Sequence, residues 1–412
     1  MGNQKTVGYY DYLQLINTGA VLNYAFGDTT KGDYAYESAP NSTDLTWETV
    51  ITKNIGLDLG FLNNRLNVSF DAYIRDTKDM LMAGKTLPGV YGASSPRMNV
   101  ADLRTKGWEA SITWGDSFTL ASKPFNYRIM AGIGDNTSKV TKYDNPNRTL
   151  TDPYEGQQLG EIWGYVVDGY FKTDEEARNY KVDQSFVNQM INASALDNGL
   201  HAGDLKFVDL DGNNKIEQTT SANDRKDMKV IGNSLPRYNY NLGISADWYG
   251  IDFSVLFQGI GKQNWYPGAE TSMFWGPYSR PYASFIPSDF MSQVWSEENS
   301  NAYFPRPRGY VALGSNRELA VVNTKYLQNL AYCRLKNLSI GYTLPDKWLS
   351  KIGFEKIRVY FSGENLLTFT KLHSDYIDPE QASASNSWKT SKSDANIYPW
   401  AKTYSFGVDI TF

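Results

Sequence analysis

The stretch that most constrains this chain is its last, residues 403–412. Tyr404, Phe406, Val408, Ile410 and Phe412 fall on one parity, and Thr403, Ser405, Gly407, Asp409 and Thr411 on the other. Side-chain direction in a strand repeats every second residue, so this is a strand with one apolar and one polar face. About 10 extended residues span roughly 34 Å; tilted by about 45° they rise roughly 24 Å, the height of the apolar band of an outer-membrane barrel. An edge strand of a soluble sandwich alternates in the same way, so recurrence of the pattern has to decide.

It recurs. Ile51, Ile55, Leu57 and Leu59 alternate with Thr52, Asn54, Gly56 and Asp58, and after a turn at Asn63-Asn64 the set Leu66, Val68, Phe70, Ala72 and Ile74 does the same. Trp108, Ala110, Ile112 and Trp114 begin the next pair, and Phe125, Tyr127, Ile129, Ala131 and Ile133 complete it. Tyr240 to Trp248 and Ile251 to Phe257 flank Gly250, and the stretches around Leu338 to Leu344 and Ile357 to Phe361 precede the last strand. The count is roughly nine strands. Connections alternate short and long. The short ones are Asn63-Asn64, residues 115–124, Gly250 and residues 345–353; the long ones fall near residues 143–237 and 262–330. Such asymmetry belongs to barrels with short periplasmic turns and long extracellular loops.

Charge is segregated as well. Asp58, Asp71, Arg75, Glu109, Arg128, Asp247, Asp252, Arg358, Glu364 and Asp409 lie on the polar parity, and among the outward positions of the stretches named above only Lys53 is charged. A lipid-facing Arg or Lys at mid-membrane costs about 2–4 kcal/mol, which gives this segregation its physical reason. Hydrophobic residues are 41% of 412, mean hydropathy is -0.48, and no apolar run of about 18 residues occurs. Transmembrane helices are thereby excluded, but half-apolar barrel strands are not. A net charge of -5 argues against nucleic acid as a partner. The single Cys333 excludes an internal disulfide. Met1 is followed by no apolar signal segment, so an outer-membrane reading carries the expectation that the chain is a C-terminal piece. The expected organisation is an extracellular loop with a partial strand near residues 21–26 over residues 1–44. Residues 45–412 then form an all-β, antiparallel transmembrane barrel portion, with residues 142–237 as a long extracellular insert holding small helices.

An ordered series of motifs carries a resemblance. It includes Leu45-Thr46-Trp47-Glu48-Thr49, Lys106-Gly107-Trp108-Glu109, Gly160-Glu161-Ile162-Trp163-Gly164-Tyr165 and Gly203-Asp204-Leu205-Lys206-Phe207. Further on come Leu235-Pro236-Arg237-Tyr238, Arg334-Leu335-Lys336-Asn337, Gly363-Glu364-Asn365-Leu366 and Asp378-Pro379-Glu380. From about residue 45 to the end the chain resembles the C-terminal part of the SusC/RagA family of TonB-linked outer-membrane transporters. That resemblance implies a barrel of about 22 strands with a plugged lumen. It implies a Bacteroidetes-like outer-membrane location and a SusD-like surface lipoprotein as lid. Contact with the TonB complex would run through an N-terminal plug that this sequence lacks, and the cargo would be oligosaccharide or peptide.

The sharpest local motif is Asp209-Leu210-Asp211-Gly212-Asn213-Asn214-Lys215-Ile216. Asp209, Asp211 and Asn213 place oxygens at positions 1, 3 and 5 of an EF-hand loop, Asn214 suits its left-handed turn, and Lys215 offers a backbone carbonyl. Thr220 stands where the bidentate acid belongs; Glu217 or Asp224 would have to replace it. The expectation is a calcium site at Asp209, Asp211, Asn213, Lys215 and Asp224, weighed against a plain Asx-type turn. Thr173-Asp174-Glu175-Glu176 reads as a capping box. Phe186, Val187, Met190, Ile191 and Ala193 read as a second helix with one apolar stripe. Trp265, Tyr266, Trp275 and Tyr278 lead an aromatic cluster, continued by Tyr282 and Phe285, that either faces sugar rings or packs its own loop. Phe412 is the expected handle for the outer-membrane assembly machinery. His201 and His373 lie in no metal or triad motif, and Gly261-Lys262 lacks the rest of a P-loop, so no enzyme is expected. The alternative reading is a soluble or surface-exposed β-rich glycan-binding protein.

Overall fold

The computed structural model describes residues 13, 15–19, 34–37, 42, 45–85, 87–91, 95–188, 199–279, 286–314, 316–349, 353–382, 392–393 and 398–412. The strand expected at residues 21–26 lies outside them. Within the first 44 residues, Ile16–Gly19 and Tyr34–Glu37 pair antiparallel.

Nine strands form the main sheet: β1 (Thr49–Phe61), β2 (Leu66–Ala83), β3 (Arg97–Leu120), β4 (Lys123–Lys142), β5 (Arg237–Trp248), β6 (Ile251–Lys262), β7 (Tyr332–Thr343), β8 (Lys356–Thr370) and β9 (Thr403–Thr411). Their order in the sheet is their order in the chain, with β1 and β9 at its two edges. This is an up-and-down meander, the topology from which outer-membrane barrels are built. β3 has 24 residues, about 80 Å of extended chain. Even tilted by about 45°, it outruns an apolar band about 25 Å tall.

The turns at one end are tight. Leu62, Asn63 and Asn64 all have positive φ, as do Ala121-Ser122 and Tyr249-Gly250. Two successive positive φ values match the twist of a hairpin. The connection expected over residues 115–124 is only Ala121-Ser122, because β3 continues to Leu120 and β4 begins at Lys123. Phe118 explains the extension: its ring lies 5.1 Å from Phe125 across the hairpin. Aromatics gather at this end. Phe118 also meets Tyr127, and Trp248 lies beside Tyr249 and donates to the Leu120 carbonyl at 3.2 Å.

Cross-strand register turns the alternation into rows, since residues directly opposite share a face. Ile129, Ile244, Val255 and Leu338 form one apolar row, and Tyr127, Ala246, Phe253, Ile340, Phe361 and Phe406 another. On the opposite face runs a serine row, Ser245, Ser254, Ser339, Ser362 and Ser405. The polar face also carries the ion pairs. Arg358 on β8 reaches across Gly341 to grip Asp252 on β6 at 2.6 and 2.8 Å, and its other arm meets Asp409 on β9 at 3.2 Å. A Cβ at Gly341 would sit 2.5 Å from Asp252 Oδ1, so only glycine leaves this path open. Apolar residues of the other face stay open: Phe406 is 84% exposed.

Contact density divides the chain differently from the expected boundary at residue 44. One unit comprises residues 1–54, 73–106 and 137–158, and the other residues 55–72, 107–136 and 159–412. In the first, Asn99 ties Thr46 by two hydrogen bonds, of 2.8 and 2.9 Å, and also donates to the Asp79 carbonyl. Asn145 there holds its own loop, donating to the Thr149 and Pro153 carbonyls. In the second, the long connections build their own core. Tyr165, Leu205, Phe207, Ile216, Trp265, Trp275, Phe304 and Tyr326 are among its buried members. Helix α1 (Asp174–Arg178) starts as expected, with Thr173 Oγ1 accepting from the Glu176 N–H at 3.1 Å. Glu176 itself accepts from the Lys172 N–H, one residue earlier than in a capping box. Phe186 and Val187 lie in a turn, with Val187 in the buried core; the rest of the expected second helix, Met190, Ile191 and Ala193, falls outside the described residues.

Candidate metal site and loop core

The acidic loop is positioned by two short ladders. Leu205–Phe207 pairs with Val167–Tyr170 and delivers Asp209 and Asp211 just beyond its end. Met228–Asn233 pairs with Glu161–Tyr165 and fixes Asp227 just before its start. Ile216, fully buried, anchors the loop, and its N–H donates to the Asp183 carbonyl at 2.8 Å.

Carboxylate oxygens of Asp209, Asp211 and Asp227 lie within 4.8 Å of one another. Asp209 accepts from the N–H groups of Gly212 and Asn214, both at 2.7 Å, and Asn214 takes the left-handed conformation expected of it, φ 61°. Burial pushes the Asp209 carboxyl up, but those N–H donors outweigh it and hold the group below the usual carboxylate range. Asp227 is fully buried and accepts from the N–H groups of Leu210 and Glu217 at 2.8 and 2.7 Å. Burial raises its carboxyl, and the neighbouring Asp211 and Asp209 add to the rise. Three acids brought this close are what a hard cation would relieve, and oxygen donors of this kind suit calcium or magnesium.

The structure brings a different third acid to this loop from the one expected. Asp224 closes a turn with Ser221 and accepts at its backbone carbonyl from Thr219; its place is taken by Asp227. Asp227 was missed because only the ladder that follows it returns it to Asp209 and Asp211. Its nearest signal in the sequence is the short polar run Asp224-Arg225-Lys226-Asp227. Asn213 turns its oxygen to the Lys215 N–H at 2.8 Å, and its amide donates to Asp211 and Glu217, so it offers the cluster a donor rather than a free oxygen. Glu217 is engaged by Lys215 and Lys226.

The sugar-facing reading of Trp265, Tyr266, Trp275 and Tyr278 is corrected. None is more than 1% exposed. Tyr266 donates to the Leu319 carbonyl, Trp275 to Gly268 and Tyr278 to Pro305, so their polar atoms are also satisfied internally. Burying one such ring removes about 150–250 Å², worth at most about 4–6 kcal/mol, so packing wins over presentation. Tyr282 and Phe285 lie outside the described residues. Phe412 is 81% exposed, with its ring 5.3 Å from Phe354.

A second cluster joins two motifs far apart in sequence. Arg334 on β7 is buried and donates to Asp378 and Glu380, both at 2.6 Å, and to Thr368. Lys336 donates to both oxygens of Glu380 at 2.9 Å. Lys336 lies at a register shift in β7, between Leu335 and Asn337, and that bulge turns Arg334 to the polar face opposite Gln258. Beside this latch lies a cleft of about 690 Å³ lined by Asn239, Asn241, Gln258, Tyr332 and Glu380 among others.

Residues 8–366 match the family described as TonB dependent receptor-like, beta-barrel. The chain belongs to the TonB-dependent receptors, in their SusC/RagA branch. It is 28% identical to TonB-dependent receptor P3 of Formosa agariphila over 388 residues, 90% of this chain and 34% of that protein. It is 24% identical to TonB-dependent receptor SusC of Bacteroides thetaiotaomicron over 416 residues, 100% of this chain and 36% of that protein. Its fold is similar to the structure of the RagAB peptide importer in the 'open-open' state, with a TM-score of 0.69 and 22% identity over 100% of this chain and 39% of that one. The chain thus spans between a third and two fifths of these proteins. This TonB-dependent receptor chain is an outer-membrane protein of Bacteroidetes type, and its family is one of non-catalytic transport proteins. The soluble glycan-binding alternative gives way to that assignment.

Proposed function

We propose that this receptor chain forms part of the wall of an importer that carries large nutrients, oligosaccharides or peptides, across the outer membrane. The observation that carries the reading is the meander whose apolar face carries no charge from β5 to β9 and whose other face holds serines, amides and ion pairs. Lipid on one side and a wet lumen on the other require that division. A SusD-type lipoprotein lid, and power from TonB through a plug, follow from the family reading. In cells making the full-length receptor, uptake of a fluorescent oligosaccharide or peptide should fall to background when TonB or the lid is deleted. Uptake unchanged by loss of TonB would overturn the proposal. Phe412, exposed at the end of an edge strand, is the residue we assign to the assembly machinery.

We further propose that Asp209, Asp211 and Asp227 hold calcium and thereby order the connection between β4 and β5. The support is their oxygen chemistry, their proximity and the raised carboxyl of Asp227. A cation bound to the ordered state alone, at about 100 times Kd, stabilises it by about 2.7 kcal/mol and slows cleavage of the opened loop about 100-fold. Calcium should therefore protect this connection from protease in the intact receptor. Asp209→Ala with Asp211→Ala should remove the effect. Equal cleavage with calcium and with chelator would reduce the site to a turn.

A further inference from the structure

Lys325 follows Tyr303 and precedes Tyr326 in the aromatic core, yet it is an ammonium only partly open to water. Its Nζ lies 4.3 Å from the centroid of Tyr170 and 5.8 Å from that of Tyr303. Among the described residues no carboxylate comes within ion-pair distance of it, and its one hydrogen bond is from the backbone N–H to Asn323 at 3.1 Å. A lysine ammonium has three N–H donors, and here none is spent on protein. Burial pushes its pKa down, with no carboxylate opposing.

The surroundings are rigid. Tyr170 donates its hydroxyl to the Tyr303 carbonyl and meets the Tyr326 hydroxyl at 3.1 Å. The Tyr303 ring is stacked on His373 at 3.5 Å and 17°, and its hydroxyl accepts from Gln328 at 2.9 Å. Asn323, fully buried, accepts the Lys325 N–H at its side-chain oxygen and is itself held by its amide, which donates to the Tyr266 hydroxyl and to the Glu318 and Val321 carbonyls. His373, held near neutral by burial, adds a polar rim through Gln293 without adding charge. A fixed ammonium framed by aromatic walls binds an anionic group without first paying to order itself.

We propose that Lys325, with Tyr170 and Tyr303 as walls, is a binding site for the carboxylate of an acidic ligand. A carboxylate supplies the acceptors that the ammonium lacks, and the tyrosine rings hold the ammonium in place to meet it. Both a uronic-acid sugar and the free C-terminus of a peptide carry that group. The site stands apart from the uptake reading, and its test needs no transport.

In the full-length receptor in detergent, lysines are acetylated with an amine-reactive ester and Lys325 is followed by mass spectrometry. Galacturonate oligomers are compared with galactose oligomers, and N-acetylated peptides with their C-terminally amidated forms. At about twice Kd an acid should slow labelling of Lys325 about threefold, by simple occupancy. Protection by the uronate alone assigns the sugar source, and protection by the free-acid peptide alone assigns the peptide source. Lys325→Met should then weaken binding of that acid about tenfold or more, with Lys325→Arg retaining it. Protection by neither acid, equal protection by the neutral counterparts, or a Lys325 that the reagent never reaches would each overturn the proposal.

Discussion

Replacing Val255 with Arg should reduce the folded, heat-modifiable outer-membrane form of the full-length receptor to a small fraction, while Arg at the adjacent Ser254 leaves it near wild type. Val255 pairs with Ile244 and Leu338 in an apolar row, and Ser254 pairs with Ser245 and Ser339 on the other face. Counted from the Tyr249-Gly250 turn, Val255 lies about 17 Å along β6. At a tilt of about 45° that is about 12 Å of rise, the middle of a band about 25 Å tall. There an Arg costs about 2–4 kcal/mol, a factor of about 30 to 700 in the assembly equilibrium. The pair of neighbours is the control, because both variants add the same charge and bulk to the same strand. Equal assembly of the two would mean that the apolar face does not meet lipid.

Loss of Arg334 should be the costliest single change on the polar face. Arg334→Met leaves Asp378 buried without its cation, and breaking a buried pair from one side costs about 3–5 kcal/mol. Glu380 loses one partner but keeps Lys336. The expected result is a lower unfolding temperature of the heat-modifiable form and faster proteolysis of residues 371–382. Adding Asp378→Asn should recover much of the loss, since no unpaired charge then remains and Glu380 still holds Lys336. If Arg334→Met unfolds at the wild-type temperature, or if the double variant is no better than the single, the latch is not what holds this segment.

The family, the strand count and the two faces were legible in the sequence because a period of two is a local property. Any residue at an odd position from Val255 declares its side of the sheet without knowledge of its neighbours. The tight turn of the β3–β4 hairpin was not legible. Ala121 and Ser122 carry no turn signature, though both adopt positive φ, and Phe118 and Phe125 hold the strands together past the point where the pattern fades. The bulge at Lys336 was hidden for a similar reason. Parity read from sequence assumes an unbroken ladder, and only the pairing of Leu335 with Phe257 shows that it shifts.

At the acidic loop the sequence supplied Asp209, Asp211 and the left-handed Asn214, all set by contacts within a few residues. It could not supply Asp227, which approaches only because two ladders, Val167–Tyr170 with Leu205–Phe207 and Glu161–Tyr165 with Met228–Asn233, bring distant segments side by side. The same limit explains Trp265, Tyr266, Trp275 and Tyr278. Composition shows that they are aromatic and clustered, but whether a ring faces water or a core depends on what covers it, and here the covering residues come from several separate loops. By itself, then, the sequence determined the faces of the sheet, because alternation within one strand is enough to separate lipid from lumen. Tertiary structure alone decided which acids meet, which aromatics are buried and that Lys325 lies over the rings of Tyr170 and Tyr303, because each depends on long-range pairings that no local pattern encodes.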